Sequence, residues 1–186
     1  MSPLEGRLSW SGRVPVQWHL LDALPDEAQL GRAAERNAAL LNALTLVEEG
    51  VARHSDDTSP LAAHMDRLEA KFDLVLNLLT EVLLPDAVAP TPVPVRLCSR
   101  GLVFEVAYPA PPGSAVELNI YFSASLPRPV RLYGVVVEPQ AGEEDLLSVE
   151  FHGIEGVVKD RLERLVFRRH RRSIAKQRPQ AVQPAD

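Results

Sequence analysis

The chain has 186 residues, 46% of them hydrophobic, which suits a folded domain of ordinary size and excludes global disorder. Its net charge is −5, too small to indicate nucleic acid or an anionic membrane as the partner of the whole chain. Cys98 is the only cysteine, which excludes an intrachain disulfide and a cysteine-based zinc site and suits the reducing cytosol.

The first segment, residues 1–24, is predicted to contribute a strand. It carries Glu5 early and lacks the apolar core of a secretory signal. The stretch 7–20 is interpreted as one strand or a bent pair of strands, because its large apolar residues alternate. These residues are Trp10, Val14, Val16 and Trp18. Since no window of the chain approaches the roughly 20 apolar residues of a membrane span, we expect a cytoplasmic protein.

Residues 25–84 are predicted to form a long helical hairpin. The first helix runs from about Asp26, a suitable N-cap, to His54. The second runs from about Pro60 to Leu84. Proline suits the first helical position because its missing N–H would have no partner there.

The second helix carries the clearest pattern in the chain, a heptad seam that predicts a coiled coil. The seam consists of Leu61, Met65, Leu68, Phe72, Val75, Leu79 and Val82. Two interpretations stay open: the hairpin packs only on its own domain, or it also packs on copies of itself. We favour a homo-oligomer, because the apolar stripe is too wide for the first helix to cover and must be buried somewhere. Asn37 of the first helix would then either set the register of the assembly or lie at the wet edge of the hairpin.

The second half of the chain is predicted to be a small antiparallel β-barrel. A proline-rich connector, residues 85–94, precedes it. From residue 95 onward short segments alternate with period two and are separated by glycine and proline turns. A closing helix within 95–178 has an apolar stripe of Leu162, Leu165, Val166 and Ile174, and 179–186 form a disordered tail. The fold class is therefore α+β: a small antiparallel barrel, an inserted helical hairpin and a C-terminal helix.

No group of residues predicts catalysis or a metal. The five histidines lack the spacing of a metal site with nearby carboxylates, and no nucleophile elbow, phosphate loop or dinucleotide fingerprint is present. We therefore expect no enzyme activity, no cofactor and no metal.

The C-terminal helix is strongly basic, with seven arginines and one lysine against one acid between residues 161 and 178. Two interpretations are equally open. The charges form a solvated face that suits the negative end of the helix dipole. Alternatively they dock an acidic partner or phosphates, with Arg168, Arg171 and Arg172 as the docking residues. Aromatic side chains for base stacking are scarce there, which disfavours nucleic acid.

Residues 95 to about 176 resemble the PilZ domain, with 7–20 as a first barrel strand. The resemblance is carried by the stretches "RLCSRGLVFEV", "PPGSAVELNIYF", "LLSVEFHGI" and "DRLERLVFRRHRR". The hairpin falls where an atypical branch of the family carries long helices through which it forms tetramers. The resemblance implies a bacterial, non-enzymatic receptor or adaptor of cyclic di-GMP signalling that influences pili, motility or virulence through a signalling protein as partner.

The ligand motif of the family is degenerate in this sequence. When its D-x-S-x-x-G turn is aligned on Gly101, Arg96 takes the Asp position and Cys98 the Ser position. The R-x-x-x-R pair expected ahead of the barrel has no counterpart in the connector 85–94. We therefore predict weak or absent cyclic di-GMP binding, although Arg96 with Arg100 would suit phosphates in a rearranged site. The rival interpretations are a purely structural oligomeric scaffold and a nucleic-acid-binding module that uses the basic helix.

Overall fold

The computed structural model describes residues 6–54, 90–123, 128–139 and 145–177, together with positions 4, 65, 68, 71, 142 and 143. Within these residues, six strands form a closed antiparallel barrel and two helices pack on it. The elements are β1 (Trp10–Leu21), α1 (Glu27–His54), β2 (Pro92–Cys98), β3 (Gly101–Glu105), β4 (Ala115–Ile120), β5 (Val130–Val137), β6 (Leu146–His152) and α2 (Gly156–Gln177). The order around the ring is β1-β2-β3-β6-β5-β4. The predicted barrel is confirmed.

β1 closes the barrel because it pairs with two different strands. Its first half, up to Pro15, pairs with β2, and its second half, from Val16, pairs with β4. The stretch 7–20 is therefore one long strand that changes partners at Pro15, where the backbone oxygen accepts a bond from Tyr121 N at 3.0 Å. The indole of Trp10 folds over its own strand, since a Cβ at Gly12 would lie 2.1 Å from the ring.

The strand β2 starts earlier than the sequence predicted. It begins at Pro92, so residues 92–94 of the predicted connector already belong to the barrel. The prolines hid the strand, because proline at a strand start is tolerated although it donates no backbone hydrogen bond. Arg13 of β1 stabilises this start of the strand, because its Nη2 donates a hydrogen bond to the Pro92 carbonyl at 2.8 Å.

The helix α1 begins as predicted at the cap residue Asp26. Asp26 Oδ1 accepts from Gln29 N at 2.7 Å, and Gln29 Oε1 accepts from Asp26 N at 3.1 Å, which forms a reciprocal capping box. Neither interpretation of Asn37 was right. Asn37 is buried and exchanges two hydrogen bonds with the backbone of Arg131 in β5, at 2.6 and 3.0 Å, so it joins the helix to the barrel.

The helix α2 lies against β1, β2 and α1. The predicted stripe residues Leu162, Leu165 and Val166 are buried in the core, joined by Val158. Ile174 is 46% exposed, so the buried stripe ends at Val166, about two helical turns before it. Beyond Val166 the helix still contacts the barrel through Arg169, and polar contacts with α1 replace apolar burial.

Most of the second predicted helix lies outside the described residues. The three positions that are described, Met65, Leu68 and Lys71, are helical and exposed. The other positions of the heptad seam, Leu61, Phe72, Val75, Leu79 and Val82, lie outside the described residues, as does the tail 179–186. The inserted hairpin therefore stays a prediction.

Candidate functional site

The β2–β3 hairpin brings together the four motif positions identified in the sequence: Arg96 and Cys98 lie in β2, Arg100 lies in the turn, and Gly101 begins β3. Cys98 and Gly101 face each other across the two strands as a register pair. Cys98 is completely buried, and its Sγ accepts a hydrogen bond from Arg100 N at 3.3 Å. A thiol in this position stabilises the turn from inside and offers no surface to a ligand.

Arg96 is engaged by an acid from another loop. Its Nη2 donates a hydrogen bond to Glu143 Oε1, and the two side chains form a salt bridge. The side chain of Glu143 is only 18% exposed. Glu143 thus occupies the guanidinium that a phosphate would need. A ligand anion at Arg96 would have to compete with this carboxylate.

Arg100 has the opposite character. Its Nη2 lies 3.9 Å from Glu150 Oε1, and both side chains are about half exposed. Such a pair contributes little to stability and is readily exchanged for another partner. The backbone of Arg100 is fixed, since its carbonyl accepts from Phe151 N at 2.8 Å. The turn therefore presents one movable cation on a rigid loop.

A cavity of about 630 Å³ lies beside Arg100, between the β2–β3 turn, the N-terminal segment and α2. Its lining combines apolar side chains with four cations and two carboxylates. The apolar residues are Leu8, Val166 and Phe167, and the charged ones are Arg7, Arg100, Lys159, Asp160, Glu163 and Arg164. We name this the turn cavity.

The segment directly ahead of the barrel, where the R-x-x-x-R pair was expected, is not the one that the sequence predicted. Because β1 begins at Trp10, the residues immediately ahead of the barrel are 4–9 and not the connector 85–94. This segment contains one arginine, Arg7, so it too lacks a pair. Arg7 lies in the lining of the turn cavity.

The basic residues of α2 divide between two faces. Those on one face converge on Glu48 of α1. Arg168 Nε, Arg169 Nη2 and Arg172 Nη1 lie 3.8, 3.0 and 3.5 Å from its carboxylate oxygens, and Glu48 is 13% exposed. Arg168 Nη2 also donates to Thr45 Oγ1 at 2.9 Å. We name Glu48 with these three arginines the Glu48 cluster.

Arg169 is the most deeply placed arginine of the Glu48 cluster. Its guanidinium lies over the rings of Trp10 and Phe122, and its Nη2 donates to the Phe122 carbonyl at 2.7 Å. Burial lowers the pKa of Arg169 below its ordinary value, Glu48 opposes that shift, and Arg172 and Arg168 add to it. The carboxylate of Glu48 is therefore needed to hold three cations at one place.

The three arginines predicted to dock a partner are not equivalent. Arg168 and Arg172 contact α1, while Arg171 is exposed and lies 5.7 Å from the centroid of the Phe167 ring. A solvated face and a docking face were the two predictions for these arginines, and an intramolecular role was not predicted. Glu48 lies about 120 positions away along the chain, and no local pattern links it to these arginines.

No group of three or more potential metal ligands occurs among the residues that the structure describes. In the same part of the chain, neither helix is long and apolar enough to cross a membrane.

Comparison with known proteins points to one family. The family model described as an atypical PilZ domain, cyclic di-GMP receptor, matches residues 41–179. Among solved structures, the chain is similar to a tetrameric PilZ domain of a pathogenic protein from Xanthomonas campestris, which self-assembles through a helical bundle. The two chains are 27% identical, 92% of each is covered, and the TM-score is 0.67. No curated protein matches this chain.

Proposed function

This chain belongs to the atypical PilZ domain family, and we propose that it is a non-enzymatic adaptor of cyclic di-GMP signalling that acts through contacts with another protein. The observation that carries the proposal is that neither of two motif side chains is free for a nucleotide. Arg96 is paired with Glu143, and Cys98 is buried, at the two positions where the family motif carries Asp and Ser. Neither of these two side chains offers an exposed acceptor to the guanine edge of the nucleotide.

A domain that does not bind the nucleotide would transmit a signal through contacts with another protein. The six described strands form a closed barrel in which every strand already has two neighbours, so no strand edge is open along its whole length for a partner to extend. Contacts are therefore expected through side chains on the helices and loops. The exposed side chains around the turn cavity and on the outer face of α2 include both charged and large apolar residues.

We further propose that the chain assembles as a tetramer through the heptad seam. Two described members of the seam, Met65 and Leu68, are 43% and 38% exposed in the single chain. Large apolar side chains at heptad spacing become buried when helices associate. The similar protein from Xanthomonas campestris, a tetramer formed by a helical bundle, supports the same arrangement.

The adaptor proposal is tested by affinity capture with the tagged full-length chain, with and without added cyclic di-GMP. Each captured protein is then purified and mixed with the pure chain. Direct association of the two purified proteins supports the adaptor function, and the nucleotide dependence shows whether the signal acts on this chain or on the partner. If no captured protein associates after purification, the chain is a structural scaffold. A rise in thermal stability with cyclic di-GMP alone would instead indicate a receptor that binds directly.

A further inference from the structure

We propose that the turn cavity is the docking site for an acidic segment of a partner protein that inserts an apolar side chain between Leu8 and Phe167. The inference rests on the proposed adaptor function and names the surface and the partner chemistry that this function uses.

Two of the three apolar residues that line the turn cavity are about half exposed. Leu8 and Phe167 are 47% and 49% exposed, although Val166, the neighbour of Phe167, is buried in the core. Leu8 belongs to the segment ahead of β1, and Phe167 belongs to α2, so the two side chains come from separate elements to one cavity. Large apolar side chains that line a concave surface are the usual anchor points of an interface.

The charges of the lining specify the sign of the partner. Arg7, Arg100, Lys159 and Arg164 give four positive charges against the two negative charges of Asp160 and Glu163, so the excess is two positive charges. The whole chain carries a net charge of −5, so this positive excess is local. Carboxylates that flank an apolar anchor would complement such a rim and speed association.

Two features favour a peptide over a phosphate ligand. The carboxylates of Asp160 and Glu163 belong to the same lining, and they repel a compact dianion held close to both. A peptide spreads its carboxylates along the rim and can place each one beside a cation. In addition, Arg100 is held only by an exposed pair with Glu150 at 3.9 Å, so it can turn to an incoming carboxylate at little cost.

Two other arginines of α2 are engaged within the chain, which confines docking to the face of the turn cavity. Arg168 and Arg172 are engaged by Glu48 on the side of the helix that faces α1. Arg171 lies 5.7 Å from the centroid of the Phe167 ring and extends the positive surface beyond the turn cavity.

Selection of a random phage-displayed peptide library on the full chain tests the proposal. We expect the enriched peptides to share acidic residues around an apolar one. Their affinities are then measured by fluorescence anisotropy on the wild type and on Phe167→Ala and Arg164→Glu. The matched control is Arg32→Glu, which reverses an exposed arginine of α1 outside the turn cavity. Circular dichroism confirms the fold of each variant.

Both cavity variants should weaken peptide binding by about tenfold or more, which corresponds to about 1.4 kcal/mol, and the control should leave it unchanged. Binding should also fall with rising salt. If the acidic peptides bind the cavity variants as tightly as they bind the wild type, the turn cavity is not the docking site. That result would leave the adaptor function intact. Enrichment of no peptide would overturn the inference, while the capture experiment would still decide the adaptor function. Displacement of the peptides by cyclic di-GMP, with tight nucleotide binding of its own, would overturn the inference and make the cavity a nucleotide site.

Discussion

The guanidinium of Arg169 lies 4.9 Å from the centroid of the Trp10 ring and joins three parts of the molecule. Trp10 begins the barrel, Arg169 belongs to α2, and the Arg169 side chain also lies 3.0 Å from Glu48 of α1. The contact with the aromatic face and the contact with the carboxylate use different parts of the same planar cation. This arrangement fixes both helices relative to the first strand.

Replacement of Glu48 by Gln should destabilise the protein. The variant leaves three arginines without a counter-charge at a largely buried position, and the uncompensated cations repel one another. We expect the free energy of unfolding to fall by about 2 kcal/mol, somewhat less than for a fully buried pair because Arg172 is half exposed. Urea denaturation at a fixed protein concentration measures the change. The control is Glu35→Gln, an exposed glutamate of the same helix. Equal stability of the two variants would show that the Glu48 cluster contributes nothing.

Replacement of Asn37 by Ala should also be costly. It removes both hydrogen bonds to the Arg131 backbone and leaves a backbone N–H and a carbonyl without these partners at the contact of α1 with β5. We expect a loss of about 1–3 kcal/mol in the free energy of unfolding. Asn42→Ala, an exposed asparagine on the same helix, is the matched control and should change little. A negligible difference between these two substitutions would contradict the joining role of Asn37.

The barrel was predictable because period-two alternation and glycine or proline turns are local signals. The helix start at Asp26 was predictable for the same reason, since its capping partner Gln29 is three residues away. The Glu48 cluster was not, because its members come together only when α1 and α2 pack. Basic residues on a helix predict positive charge, but the residue that neutralises them is set by tertiary structure.

The candidate site follows the same rule. Arg96, Cys98, Arg100 and Gly101 were identified from a motif and do lie in one β-hairpin. The contributions of Arg7 and Lys159 were missed, because they belong to elements that approach the turn only through the closure of the barrel and the packing of α2. The engagement of Arg96 by Glu143 was missed because the acid comes from a different loop, 47 residues away.

The predicted docking arginines should separate into two classes when they are reversed one at a time. Arg168→Glu places a carboxylate beside Glu48 and should lower the melting temperature. Arg171→Glu changes an exposed residue, and it should change the melting temperature no more than an ordinary surface substitution does. Differential scanning calorimetry measures both, and partner association is then tested on the stable variant. An equal loss of stability in both would contradict the division of α2 into two faces.

Assembly should depend on the heptad seam. Asp at both Leu68 and Val75 should give smaller species or insoluble chain, because a buried carboxylate without a partner is far more costly than a lost apolar contact. Light scattering gives the mass of the wild type and of the variant. Lys71→Asp, an exposed helical position outside the seam, is the control and should keep the wild-type mass. A monomeric wild type would disprove the coiled coil, and an unchanged mass in the double variant would place the interface elsewhere.

Cyclic di-GMP should bind the pure protein in the millimolar range or not at all. Arg96 carries five donors and no acceptor, so it cannot accept from a guanine as an Asp would, and the buried Cys98 offers no hydroxyl. Two lost bonds of ~2 kcal/mol each reduce a micromolar affinity, about 8 kcal/mol, to the millimolar range. Calorimetry on the wild type, with Glu143→Gln and Arg96→Ala as variants, measures this. Glu143→Gln removes the carboxylate that holds Arg96, and it should still show no tight binding, because Arg7 is the one arginine immediately ahead of the barrel and a fork needs two. Micromolar binding by the wild type that disappears in Arg96→Ala would contradict the prediction and would show that this arginine exchanges Glu143 for a phosphate.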